Sequence, residues 1–205
     1  TDRISTSAIE TDTSVFEAYV TNRYIGVKLQ DKEGDGANPG FGRGFEYAMW
    51  SSLTDESIYN NDDATWLIQR GQLAPENLGD AGVLWARSYR GIRECNYGLS
   101  VLPKLNMSAG HKTRLEGELK FIRAFRYQDI IRNYGGAVLM GDKVLSLTDN
   151  LQDPSLFKRA TIKESMDYVL AQLDDAASKL PLDNDGSWEL GRATKGAALA
   201  LKSRL

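Results

Sequence analysis

The chain has 205 residues, of which 41% are hydrophobic and 26% charged, with a formal net charge of −3. That length can bury a real core in one domain or two small ones, and the composition is that of a folded globular chain. Its Lys and Arg residues are interspersed with acids, which speaks against a nucleic-acid surface, and no apolar run approaches the ~20 residues of a membrane-spanning helix.

The chain opens at Thr1 without a methionine, an apolar signal segment or a lipidatable cysteine, so a preceding segment is expected. A first helix is predicted from an N-cap at Thr11, Asp12 or Thr13 to about Tyr24, with Phe16, Tyr19, Val20 and Tyr24 at helical spacing. A polar, Gly-rich loop follows over 31–44. Its Asp31-Lys32-Glu33-Gly34-Asp35-Gly36 resembles the opening of a calcium loop, but Gly42 stands where the bidentate acid should be and Pro39 interrupts the run. Gly40, Gly42 and Gly44 follow no strand and do not have the spacing of a phosphate loop. A short helix carrying Phe45, Met49, Trp50 and Leu53 is expected to end near Thr54-Asp55-Glu56. Residues 59–82 read as the most irregular part, polar and punctuated by Asn60-Asn61, Asp62-Asp63 and Pro75.

A long helix is predicted over about 83–102, with Trp85, Tyr89, Ile92, Asn96, Leu99 and Leu102 along one side and Pro103 at its end. Cys95, the chain's one cysteine, lies in the apolar stripe as a small buried hydrophobe. Gly91, Cys95 and Gly98 make a strip of small residues that lets a neighbouring helix approach. That neighbour is the next helix, reached through a turn at 106–110, so the two run antiparallel. It carries Leu115, Leu119, Ile122, Phe125 or Arg126, Ile130 and Tyr134, a stripe wide enough to need cover, and Gly135-Gly136 supplies a left-handed cap. After 135–154, with Val138-Leu139-Met140 and Val144-Leu145 as candidate extended stretches, Thr161 caps a helix whose apolar face is Ile162, Met166, Val169, Leu170, Leu173 and Ala177. Leu180-Pro181 stops it, and 183–191 leads to an Ala-rich helix from Thr194 with no terminator before Leu205, so a continuation is expected.

The class is mainly α. Helix pairs over about 83–134 and 161–205 have the form of tetratricopeptide-like repeats stacked as an α-α superhelix, with long irregular loops. Residues 1–205 are taken as one helical domain, a portion of a longer protein.

Four motifs occur in order: Leu53-Thr54-Asp55; Trp85-x3-Tyr89-x2-Ile92-x3-Asn96; Gly117-Glu118 with Phe121, Arg123-Ala124, Tyr127 and Tyr134-Gly135-Gly136; and Leu180-Pro181 followed by Gly191-Arg192-Ala193-Thr194-Lys195-Gly196-Ala197-Ala198. Together they resemble the N-terminal portion of the SusD/RagB family of outer-membrane nutrient-binding lipoproteins, over roughly residue 19 to the end. The resemblance implies a lipid-anchored, surface-exposed protein of the outer membrane, its anchor residue outside this chain. Such a protein captures an oligosaccharide or polysaccharide and delivers it to a SusC-like TonB-dependent transporter. The alternative is a helical-repeat adaptor that binds a protein segment on its concave face.

Catalysis is poorly supported. His111, the one histidine, sits in the first turn of the signature helix as an exposed residue, so no Ser/His/Asp or Cys/His arrangement can be built. Paired carboxylates carry no information among 28 acids. No catalytic residue, metal or cofactor is expected, nor an enzyme. Glu118 and Arg123 are read as structural, pairing with neighbours or satisfying loop backbone where the repeats stack. Trp85 and Trp50 fall in helical stripes, and Trp188 sits in a turn that can tuck it back onto the helices. Trp66 differs, lying in a polar loop beside Tyr59, Asn60, Asn61 and Arg70. Its indole can stack on the C–H face of a sugar while amides and a guanidinium bond the hydroxyls, or it can pin the long loop. Trp66, Tyr59, Asn61 and Arg70 are the candidate carbohydrate-binding residues.

Overall fold

The computed structural model describes residues 5–24, 51, 54–58, 65–78, 80–146 and 148–205. The Gly-rich loop over 31–44 and the short helix expected before Thr54 lie outside them, apart from Ser51. The chain divides into two compact units, Thr1–Arg23 with Gly91–Leu205, and Tyr24–Arg90. Every regular element among the described residues is helical, with one isolated bridge between Ala74 and Asn77.

In the first unit, α1 (Thr6–Thr11) precedes the predicted first helix and was not foreseen. Asp12 ends it and starts α2 (Thr13–Thr21), its carboxylate accepting from the Ser14 and Val15 amides at 2.9 and 3.2 Å. The bond donated by the Ser14 hydroxyl holds the Asp12 carboxyl below its usual range. Phe16 and Val20 are fully buried, and a short 3₁₀ turn, Asn22–Tyr24, carries the helix on to the expected end. Tyr19 donates to the Glu94 carbonyl at 2.7 Å, while Arg23 pairs with the Glu94 carboxylate and lies 4.3 Å over the Tyr19 ring.

Helix α4 (Asp80–Val101) begins three residues before the predicted start, and Pro103 falls in the 3₁₀ turn Leu102–Lys104 that ends it. Ser108 then caps α5 (Ala109–Tyr134), accepting from the His111 amide at 3.3 Å. The small strip works as expected: a Cβ at Gly98 would meet Leu119 at 3.0 Å and one at Gly91 would meet Arg126 at 3.2 Å, and Cys95 is fully buried. These contacts step in opposite directions along the two helices, which makes them antiparallel. Burial also pushes the Cys95 thiol up to about 12, so it is inert as a nucleophile.

On its other side α5 packs antiparallel on α6 (Ile162–Lys179). Lys179 and Leu180 close over Gly117, Lys120 bonds Asp175 at 2.5 Å, and Tyr127 meets Tyr168 edge to face at 5.3 Å. A Cβ on Gly117 would lie 2.9 Å from the Lys179 Cβ, so only glycine permits this approach. Thus α5 is covered from both sides, and its burial runs nearly all the way round, including Glu118, Arg123 and Asp129. Thr161 and Glu164 form a full capping box at the start of α6. The buried line of α6 is Ser165, Val169, Leu173, Ala176 and Ala177, whereas Ile162 is 55% exposed because it precedes the packed stretch. Thr194 caps α7 (Lys195–Lys202), which buries Ala198 and Leu201 and is tied to α6 by Lys202 and Asp174 at 2.5 Å.

Two local expectations need correction. Gly135 ends α5 at φ 80° and ψ −139°, a glycine-only region but not the left-handed helical one. His111 is half-buried, its Nε2 set against the Glu17 carboxylate of α2, because the α1–α2 segment folds back over the start of α5.

Candidate functional site

The charged residues of the signature hold loops in place. Arg123 is 1% exposed, and its guanidinium donates to Asn96 Oδ1 at 2.6 Å, to the Gly141 carbonyl at 3.1 Å, to Asp142 Oδ1 at 2.6 Å and to Gln172. Asn96 in turn donates to the carbonyls of Gly141 and Lys143 at 3.0 and 2.8 Å, and Arg93 donates to that of Leu145. The Met140 amide donates to the Tyr127 hydroxyl at 2.9 Å and that of Ala137 to Ser165 Oγ at 2.9 Å. Within 138–145 the Met140 amide and the Gly141, Lys143 and Leu145 carbonyls are thus taken by helix side chains rather than by a neighbouring strand.

A second buried charge organises the loop before α7. Glu118 is fully buried and accepts two bonds from Arg192, at 3.0 and 2.6 Å. The same guanidinium lies 3.8 Å over Trp188, which is itself fully buried and donates its indole N–H to the Ala193 carbonyl at 2.8 Å. Trp188 is therefore a packing residue with no face open to a ligand. Both signature charges are structural, as their apolar setting implied.

One titratable group in α5 stands out. Burial raises the Asp129 carboxyl from 3.8 to about 6, against the opposing pull of Arg126 and Arg132. An acid whose folded pKa is raised contributes stability below its unfolded value, and that contribution is lost as pH climbs from about 3.8 through about 6. The isosteric Asp129→Asn change is expected to leave the melting temperature unaltered near pH 3.5 and to raise it at pH 7, by up to about 3 kcal/mol of stability. Melting curves at the two pH values check this, and equal effects at both would contradict it.

The predicted carbohydrate contacts lie in the second unit. Tyr59, Asn60 and Asn61 fall outside the described residues. Trp66 lies in a short helix, α3 (Thr65–Gln69), rather than in an irregular loop. The apolar run Trp66-Leu67-Ile68 was the available signal, with Leu67 and Ile68 half-buried once the turn closes. Gln69 donates to the carbonyls of Thr54 and Ser57 at 3.4 and 3.2 Å, tying α3 to the preceding segment. Arg70 follows α3 and is exposed, and Gly71 turns the chain at φ 65°. The Gly71 and Gln72 amides close the turn on Ile68 and Leu67 at 3.0 and 2.7 Å. Trp66 and Arg70 thus sit on a closed helical turn followed by a mutual Ala74–Asn77 bond pair.

Antiparallel helix pairs, close-packed at small residues and with loops held by buried charges, define a tetratricopeptide-like helical protein. The chain belongs to the SusD-like family, whose model, described as "Starch-binding associating with outer membrane", matches residues 5–205. Among solved structures it is similar to a SusD-like protein from Bacteroides fragilis, at 28% identity and TM-score 0.68, covering 99% of this chain and 36% of that one. It shares its fold with a SusD-like carbohydrate binding protein from the same species, at 23% identity and TM-score 0.73, over 96% of this chain and 37% of that one. The fold also recurs in surface glycan-binding protein A from Bacteroides thetaiotaomicron, solved in complex with laminarihexaose, at 19% identity and TM-score 0.63 over 94% of this chain and 38% of that one. The chain thus spans little more than a third of the length of these proteins. No curated protein sequence matches it.

Proposed function

We propose that this chain is the N-terminal helical portion of a lipid-anchored, surface-exposed outer-membrane protein. That protein captures an oligosaccharide and delivers it to a SusC-type TonB-dependent transporter without breaking a bond. The observation that carries the reading is the family match over residues 5–205, nearly the whole chain. Residues 1–205 act as one scaffold, its helix pairs at about 83–134 and 161–205, and the segment around α3 presents the ligand contacts Trp66, Tyr59, Asn61 and Arg70. An indole and a guanidinium on a closed turn, close in sequence to side-chain amide and phenol groups, supply both stacking and hydrogen bonding for a sugar ring.

Tryptophan-fluorescence titration of the full-length protein with maltoheptaose and laminarihexaose tests this. Saturable binding is expected for one of them, with Trp66→Ala weakening it about tenfold or more. Binding untouched by that change would remove the proposed site, and binding of neither sugar, nor of a wider oligosaccharide panel, would overturn the function.

A further inference from the structure

A cleft of about 440 Å³ opens between the C-terminal turns of α4 and the first half of α5, wholly within the first unit and outside the α3 segment. Pockets of this volume lie in the range that holds small ligands. Half-buried Leu99 and exposed Pro103 give it an apolar wall, while Leu102 is buried. Around this wall stand groups whose hydrogen-bonding capacity is only partly used. Ser100 and Thr113 each donate to a helix carbonyl, of Tyr97 and Ala109, which leaves their oxygens as acceptors. Asp142 gives one carboxylate oxygen to Arg123 while its side chain stays 77% exposed. Lys112 gives one of its three N–H groups to the Pro103 carbonyl.

The charges at the rim offset one another. Lys120 is held between Glu116 and Asp175 at 2.6 and 2.5 Å, and the Asp142 carboxylate faces Arg123. A strongly charged ligand would therefore gain little there. A neutral polyol fits: each hydroxyl both donates and accepts, and C–H faces suit an apolar wall. The walls are helices braced by the Asn96–Arg123 bond, so the groups need little ordering on binding.

We infer that this α4–α5 cleft is a second saccharide subsite, distinct from the α3 segment and weaker because no aromatic ring among the described residues lines it. The inference rests on the glycan-binding reading above. The test is an amide chemical-shift titration of ¹⁵N-labelled protein with maltoheptaose and with laminarihexaose, on the wild type, Thr113→Trp and Trp66→Ala. Thr113 is exposed on α5, so a bulky residue there fills the cleft mouth without disturbing the core. The expected result is saturable shifts at 99–103 and 112–116, weakened about tenfold or more by Thr113→Trp and changed less than about twofold by Trp66→Ala. Shifts confined to the α3 segment would overturn the subsite and leave the proposed function standing. Cleft shifts that persist in a folded Thr113→Trp would also overturn it. No shifts with either sugar would overturn the subsite and count against the glycan-binding reading as well.

Discussion

Replacing Arg192 with Met is expected to destabilise the first unit by about 3–5 kcal/mol, the cost of removing one partner from a buried ion pair. Glu118 has no exposed surface, and Arg192 meets it with two parallel bonds from 74 residues away in sequence. Without the guanidinium, the Glu118 carboxylate loses the counter-charge that repays its desolvation. Trp188 loses the cation over its ring at the same time. Urea denaturation should show a lower midpoint with an unchanged slope. The double change Glu118→Gln with Arg192→Met should recover part of the loss, because a neutral amide costs less to bury than a charge. A single variant as stable as the wild type would mean that water reaches the pair.

Gly136→Ala is the second large effect expected, at about 3 kcal/mol or more. A Cβ at this position would overlap the carbonyl oxygen of Ala160, a backbone atom that no side-chain rotation can move. The crowding is not incidental. The Ala160 amide donates to the Ala137 carbonyl at 2.8 Å, and Arg159 reaches across to the carbonyls of Gly136, at 2.7 Å, and Tyr134. The two ends of the 137–160 excursion are clamped together at the C-terminus of α5, where a cation also suits the helix dipole. Gly141→Ala separates steric overlap from backbone strain: Gly141 has φ 56° but open space around it, so its replacement should cost only on the order of 1 kcal/mol. Equal losses at the two sites in thermal melts would refute the clash.

Periodicity and capping residues made most of the first unit legible. The Thr161 cap, the helix starting at Thr194, and the Gly91, Cys95 and Gly98 strip were each readable locally, by rules that depend on residues a few positions apart. The signature charges could be read as structural, because charge on so apolar a helix must be compensated. Their partners could not be read: Arg192 for Glu118, or Gln172 and the Gly141 carbonyl for Arg123, are set by tertiary approach alone. Helix α1 was missed because its six residues carry no buried side chain and hence no stripe. Val138-Leu139-Met140 and Val144-Leu145 read as candidate extended stretches because they are apolar, but Gly141 turns the chain between them, and the side chains that take their backbone groups come from α4 and α5. Around Trp66 the sequence suggested a chemistry, an aromatic among amides, but not the helical turn that carries it. Tyr59 and Asn61 lie outside the described residues.

Arrays of helical repeats usually draw their stability from a sum of nearest-neighbour terms, so that one pair can open while the next stays closed. Arg123 works against such independence. Its guanidinium bonds Asn96 in the first pair, Gln172 in the second, and Gly141 and Asp142 in the chain that joins them. Separating the pairs would strand a buried cation and several of its acceptors at once. One side chain thereby ties two stackable modules and the chain between them into a single cooperative body.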